Sequence, residues 1–414
     1  MHQTSIALLI FLTTLVVGLI IYGIKIYKTP LNPLSFYLTL DSGLRVILSC
    51  SLIYFTDNIQ NFTDADIVDA LLLHILYVIC FALPFVLRPR WLLRTVETIR
   101  RAFFMHLPRA RTPFSILTVL LITAFILINF YMLMIVGEGG TLWLTNPREA
   151  YQNNKFGAGN YYLFWVWGIS FFIIYLLYSV KPTNKGDLLK IAPLLLGIFG
   201  LTYFTGSKQI LMVNILLVAF YYTHYIKIIG IKFFTVIGAA LFSMFLGLQL
   251  LQGTTSDLIG ALSYFDYFQK TIEFVAQYDH IGPTYGEAFI SSFWGYIPRA
   301  FAPDKPLIYG QLLIQNYLYP EAADVGYYPA FASWAFMYLD FWVVGVIMSG
   351  LFVGGLSWSL YELFRRNKDD IFLFSLAAQA TITLYMVPLH GELYIFIWFI
   401  LQRIILNIHF KRTS

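Results

Sequence analysis

Charge is scarce in this chain. Only 12% of its 414 residues are Asp, Glu, Lys or Arg, while 59% are hydrophobic. A soluble domain carries about 25% charged residues. A water-soluble fold of this size has too little polar side chain to cover so much apolar surface, whereas a bilayer solvates that surface directly. Cysteine is nearly missing too. Cys50 and Cys80 both lie inside apolar runs, which argues against a disulfide framework or a zinc site and makes them small buried hydrophobes. There is no P-loop, no G-x-G-x-x-G before a helix, no H-E-x-x-H and no metal-ligand spacing. An ATP-driven pump or a zinc protease is therefore without support, and no cofactor or metal is expected. The first apolar run, 5–24, has no Lys or Arg before it and no A-x-A site after it, so it is expected to be a retained helix and not a signal peptide.

What the chain does have is long apolar runs. Eleven lie at 5–24, 34–55, 67–87, 114–136, 161–180, 191–205, 210–226, 233–251, 331–356, 371–389 and 393–410. Runs of about 17–25 residues match the hydrocarbon thickness, and only helices satisfy their own backbone inside it. The expected fold is thus an all-α integral membrane protein of about eleven spans, forming one polytopic domain over residues 1–414. Its largest loop, residues 253–330, lies between the eighth and ninth spans.

The 27 Lys and Arg residues set the orientation. Arg88, Arg90, Arg94, Arg100, Arg101, Arg109 and Arg111 crowd the link after the third span, which marks it as cytoplasmic. Alternation then places nineteen cations inside, six outside and two, Arg45 and Arg403, within runs. The N-terminus is expected outside and the C-terminus inside. The net charge of +5 and the pI of 8.9 therefore reflect topology, and no nucleic-acid partner is implied. The amphipathic, basic stretch 88–111 is expected on the inner membrane surface, touching anionic lipid.

Outside cations run against the topology rule, and four stand in short motifs. Arg148 sits in Thr-Asn-Pro-Arg-Glu, Lys208 in Thr-Gly-Ser-Lys, and Arg299 and Lys305 in Ile-Pro-Arg-Ala-Phe-Ala-Pro-Asp-Lys-Pro. A phosphate-bearing lipid would explain them, because Arg offers paired donors to phosphate and Lys adds a compact charge. Snorkelling to headgroups is the competing explanation. Prolines 298, 303 and 306 make the last motif a stiff non-helical platform. Lys155 and Lys270 are taken as ordinary loop charges. Candidate proton acceptors on the same side are Asp266, Glu273, Asp279, His280, Glu287 and Asp304 in the large loop, with His390 and Glu392 at the last outer hairpin. Asp41 and Arg45, four apart in the second span, share a helix face and are taken as a structural ion pair. The seventeen aromatics of 253–330 suit both sugar faces and the interfacial belt. Segments 258–268 and 285–296 of that loop are candidates for short helices.

The order of these motifs carries a resemblance. Gly139-Gly140 with the following Arg148, Thr205 to Lys208, Tyr-Gly-Glu-Ala-Phe (285–289), Ile-Pro-Arg and Asp-Lys-Pro (297–306) together resemble the Wzy-type oligosaccharide repeat-unit polymerases of O-antigen and capsule synthesis. Where family members often carry Arg-Gly-Asp before the final span, this chain has His390-Gly391-Glu392. The resemblance implies a GT-C-like glycosyltransferase of the bacterial inner membrane. Its substrates would be polyprenyl-diphosphate-linked oligosaccharides met at the outer face, and a chain-length regulator protein is a partner it allows. It implies reacting groups among Arg148, Arg299, Lys208, His390 and Glu287, with Lys305, Asp304, Tyr285 and Glu392 on the diphosphate and sugar. Arg148, Lys208 and Arg299 would converge on one diphosphate. A lipid-linked oligosaccharide flippase and an O-antigen ligase are the alternatives.

Overall fold

The computed structural model describes residues 2–55, 61–104, 116–153, 158–251, 262, 267–297, 302–310, 312–321 and 331–382. Every regular element among them is helical. Helices α1 (Gln3–Tyr27), α2 (Pro33–Phe55), α3 (Asp64–Leu87), α4 (Arg90–Phe104) and α5 (Ile116–Val136) come first. Two short helices, α6 (Leu142–Thr145) and α7 (Pro147–Asn153), precede α8 (Gly159–Val180), α9 (Lys185–Tyr203), α10 (Lys208–Tyr221) and α11 (Ile231–Leu251). In the large loop lie α12 (Tyr267–Ile281), α13 (Glu287–Ser291) and α14 (Leu312–Leu318), and then come α15 (Ala335–Arg366) and α16 (Ile371–Ile382).

Among the described residues, eight segments are long and apolar enough to cross a membrane: α1, α2, α3, α5, α8, α9, 209–226 and α15. They coincide with expected spans one to seven and nine. Helix α11 covers the expected eighth span and α16 the first part of the tenth, while the eleventh lies outside the described residues. The apolar faces that α1 and α5 leave uncovered, including Ile10, Phe11, Leu120, Leu121 and Ile128, are what lipid would solvate. This is the architecture of a multi-pass membrane protein. Both cysteines are buried and unpaired.

Two compact units are present. One comprises residues 1–98, 229–363 and 379–395, the other 99–228, 364–378 and 396–414. In the first, α15 meets α3 through Gly350 and Gly354. A Cβ at Gly350 would fall 2.7 Å from the Cys80 Cβ, and one at Gly354 would overlap the Phe81 carbonyl. Small residues four apart let helix backbones approach closely in lipid. Gly354→Val should therefore destabilise the protein by about 1–3 kcal/mol or more, measured as a lower melting temperature in detergent. Gly18→Ala, with nothing near its added methyl, should leave the melting temperature unchanged.

The helix ends explain themselves locally. Helix α3 opens on a capping box: Thr63 Oγ1 accepts from Asp66 N at 3.2 Å, and Asp66 Oδ2 accepts from Thr63 N at 2.8 Å. Helices α1, α3 and α8 all end on a left-handed cation, Lys28, Arg88 and Lys181. Each positive charge there faces the negative end of a helix dipole. In the second span, Thr39–Leu48 is wound as a π-helix. Asp41 and Arg45 lie on it and pair at 3.5 Å.

Candidate functional site

In the second unit, chain chemistry builds a platform around Arg148. Asn146 and Pro147 start α7, since Asn146 Oδ1 accepts from Glu149 N at 3.5 Å and proline is suited to the first helical position. That start presents Arg148 on the first turn, exposed, with its guanidinium 5.6 Å above the Tyr151 ring. Its Nη1 lies 3.5 Å from the carbonyl oxygen of Gly206. Gly206 has φ +66°, and a Cβ there would overlap the Pro147 carbonyl. The Thr-Asn-Pro-Arg segment and the Thr-Gly-Ser-Lys turn are thus in direct contact, although 58 residues separate Arg148 from Gly206.

The turn is held from below. Thr205 Oγ1 donates to the Thr202 carbonyl at 2.7 Å, and Tyr162 donates to the Thr205 carbonyl at 3.2 Å. Buried Trp143 and Trp165 pack around Tyr162, with Phe130 stacked on Trp165 at 4.5 Å. Lys208 is the first residue of α10. The exposed guanidinium thus lies against the turn that leads into α10, and the opening N–H groups of a helix favour anions.

The first unit holds the other described candidates. Tyr285, exposed, has φ +51°, and Glu287 is exposed on the first turn of α13. Tyr317 on α14 has its phenol pushed up, first by burial and then by the Glu287 carboxylate. The segment 285–296, expected as short helix, is α13 followed by a 3-10 turn over Ser292–Tyr296. The Asp-Lys-Pro half of the proline-rich motif is a turn, as its prolines require, closed by Lys305 N donating to the Ala302 carbonyl at 3.1 Å. Lys305 Nζ folds back onto the Ile297 carbonyl at 3.1 Å and lies 4.6 Å from the Tyr309 ring centre. Asp304 is exposed on that turn. Arg299, His390 and Glu392 lie outside the described residues.

Lys270 is not the ordinary loop charge the sequence suggested. It is on α12, paired with Glu273 at 3.0 Å and set over the Tyr319 ring, while the Tyr319 hydroxyl donates to Glu273.

The Asp41–Arg45 pair belongs to a larger buried network that the sequence did not reveal. Ser333 donates to Asp41 Oδ2 at 3.3 Å, and the Tyr37 hydroxyl bonds Ser333 at 3.0 Å and Tyr77 at 2.5 Å. Beside them, the Trp334 indole donates to His74 Nδ1 at 3.1 Å, so His74 Nε2 carries the proton given to Ser42 Oγ at 3.0 Å. Both rings of contact tie the segment entering α15 to α2 and α3. Among the described residues, no group of three His, Cys, Asp or Glu could hold a metal ion.

Comparison with family models, with curated proteins and with solved structures finds no match to this chain.

Proposed function

We propose that this protein is a polysaccharide polymerase that joins polyprenyl-diphosphate-linked oligosaccharide repeat units at the outer face of the bacterial inner membrane. The observation that carries the reading is the contact between Arg148 and the Thr205–Lys208 turn, which sets an exposed guanidinium at the start of α10. Such a platform suits a lipid-borne diphosphate. As the anomeric C–O bond to the diphosphate breaks, the electron pair leaves with the phosphate. Arg148, the opening N–H groups of α10 and the positive charges of Lys208 and Arg299 would stabilise it. The hydroxyl of the next lipid-linked unit forms the new glycosidic bond and gives its proton to Glu287 or His390. Eleven spans, a GT-C-like arrangement and an outside N-terminus belong to this reading.

One observation favours a flippase as the second reading. Helix α15 is interrupted at Phe341 and Trp342, and broken spans are common in transporters. Those breaks usually sit at mid-membrane. Here only six residues, Ala335 to Asp340, precede it, roughly 9 Å of a 32-residue helix at 1.5 Å per residue. A break so near one end serves loop docking better than alternating access.

Deletion of the gene separates the two. Loss of the polymerase should leave single repeat units at the cell surface and no long chains, and loss of a flippase should leave no surface sugar. In the same cells, external thiol reagents should reach Asp279→Cys and spare Arg94→Cys. Absence of single-unit product, or the reversed labelling pattern, would defeat the polymerase reading.

A further inference from the structure

Asp340 is fully buried at the last residue before the break in α15. No cation pairs with it among the described residues. Instead its carboxylate accepts three donors from residues about fifty positions earlier. Oδ1 takes the Thr284 hydroxyl at 2.5 Å and the Ala288 N–H at 2.9 Å, and Oδ2 takes the Phe289 N–H at 2.6 Å. Two backbone bonds add to these: Thr284 N donates to the Leu339 carbonyl and Tyr285 N to the Asp340 carbonyl, both at 3.1 Å. Each of these contacts satisfies a carboxylate oxygen, and together they offset the cost of burying the polar group.

The backbone is bent on both sides of this contact. Tyr285 and Gly286 have φ +51° and +95°, and a Cβ on Gly286 would lie 3.3 Å from the Phe341 ring. Phe341 leaves helical geometry and Trp342 has φ +53° and ψ −142°. Uncommon backbone geometry persists only where the surroundings over-determine it. Here the over-determining group is Asp340. Its partners are residues 284, 285, 288 and 289, which bracket Glu287.

We propose that Asp340 is a positioning residue, whose carboxylate clamps the Tyr285–Phe289 turn and thereby fixes Glu287 where the acceptor hydroxyl loses its proton. The clamp is independent of the polymerase reading, while the role of Glu287 rests on it. Glu287 takes the proton as the hydroxyl oxygen bonds the anomeric carbon and the electron pair of the broken C–O bond leaves on the diphosphate. Asp340 touches neither substrate.

Full-length protein in lipid nanodiscs, nitroxide-labelled at Ile290→Cys on α13, tests the clamp without any activity. Asp340→Asn presents an NH2 where an N–H donor points, so the label's spectrum should become more mobile than in the otherwise wild-type protein. Thr284→Val should loosen it in part, and Thr284→Ser should restore it. The Thr284 pair keeps the test open if Asp340→Asn fails to fold. The second measurement is polymer formation from purified lipid-linked repeat units. Asp340→Asn should lower kcat by about 10²-fold, as a misplacement of about 1 Å does, with KM little changed. Adding Glu287→Gln to Asp340→Asn should cost little more. An unchanged label spectrum in both Asp340→Asn and Thr284→Val would overturn the clamp. Losses that multiply independently would overturn the link to Glu287. A mobile label in Asp340→Asn with no polymer from the wild type would uphold the clamp and overturn its catalytic purpose together with the polymerase reading.

Discussion

Arg148→Ala and Arg299→Ala should each abolish long polymer while the protein inserts and is recovered at wild-type levels. Both cations stand on the side that the charge distribution marks as outer, where topology does not require them. Removing one charged partner of a leaving group costs a few kcal/mol, or about 10²–10³ in rate. The exposure of Arg148 limits what its removal can do to folding, because a surface guanidinium contributes little stability. Arg299→Lys should also be poor, since a single ammonium does not reproduce a paired donor fork. Lys155→Ala is the control and should be nearly silent. Lys270 is unsuitable for that purpose because of its pairing with Glu273. Chain-length profiles resolved by electrophoresis at matched expression decide the matter. Wild-type ladders from both alanine variants would mean that these cations anchor lipid and that the chemistry lies elsewhere.

Gly206→Ala should be as damaging as loss of the Arg148 side chain. A left-handed backbone costs an ordinary residue about 1–2 kcal/mol, and the added Cβ would overlap the Pro147 carbonyl and fall 2.7 Å from the Tyr151 Cβ. Neither obstacle is the tip of a flexible side chain. The turn must therefore move away from α7, which separates Arg148 from the first turn of α10. Gly200→Ala on α9 adds a methyl with nothing within 4 Å and should polymerise normally. In a purified assay, Gly206→Ala should retain its oligomeric profile by size exclusion and lose polymer to the extent that Arg148→Ala does. Normal polymer from Gly206→Ala would show that the contact between the two motifs is incidental.

Much of the fold was legible because bilayer thickness and backbone satisfaction act through composition alone. The run 5–24 became Gln3–Tyr27, and 161–180 became Gly159–Val180. The Thr-Gly-Ser-Lys turn was legible as a motif, whereas its contact with Arg148 joins residues 58 apart that no sequence spacing links. Other features depended on partners far away in sequence. Asp340 was hidden inside the run 331–356, although a lone acid in an apolar segment is itself a signal of function or pairing. Its partners at 284–289 lie in another element, and no spacing rule links them. His74 was concealed in the same way, since its partners Ser42 and Trp334 come from two further segments. The Gly350 and Gly354 spacing was present in plain view and marks the α3 contact. The π-winding of 39–48 has no signature in local composition, and it carries Asp41 and Arg45, whose partners Ser333 and Tyr267 lie far away in sequence.

The left-handed ends of α1, α3 and α8 set two demands against each other. Glycine would relieve the backbone at residues 28, 88 and 181, where a side chain is strained. It would also strip three positive charges from loops that the charge rule reads as cytoplasmic. At these positions a small loss of native-state stability accompanies a large gain in certainty about orientation, a decision taken during synthesis, before any tertiary contact exists to correct it. Stabilising substitutions chosen from the folded structure alone would select glycine there, and would end the helices better while weakening the charge asymmetry that orients a multi-pass chain.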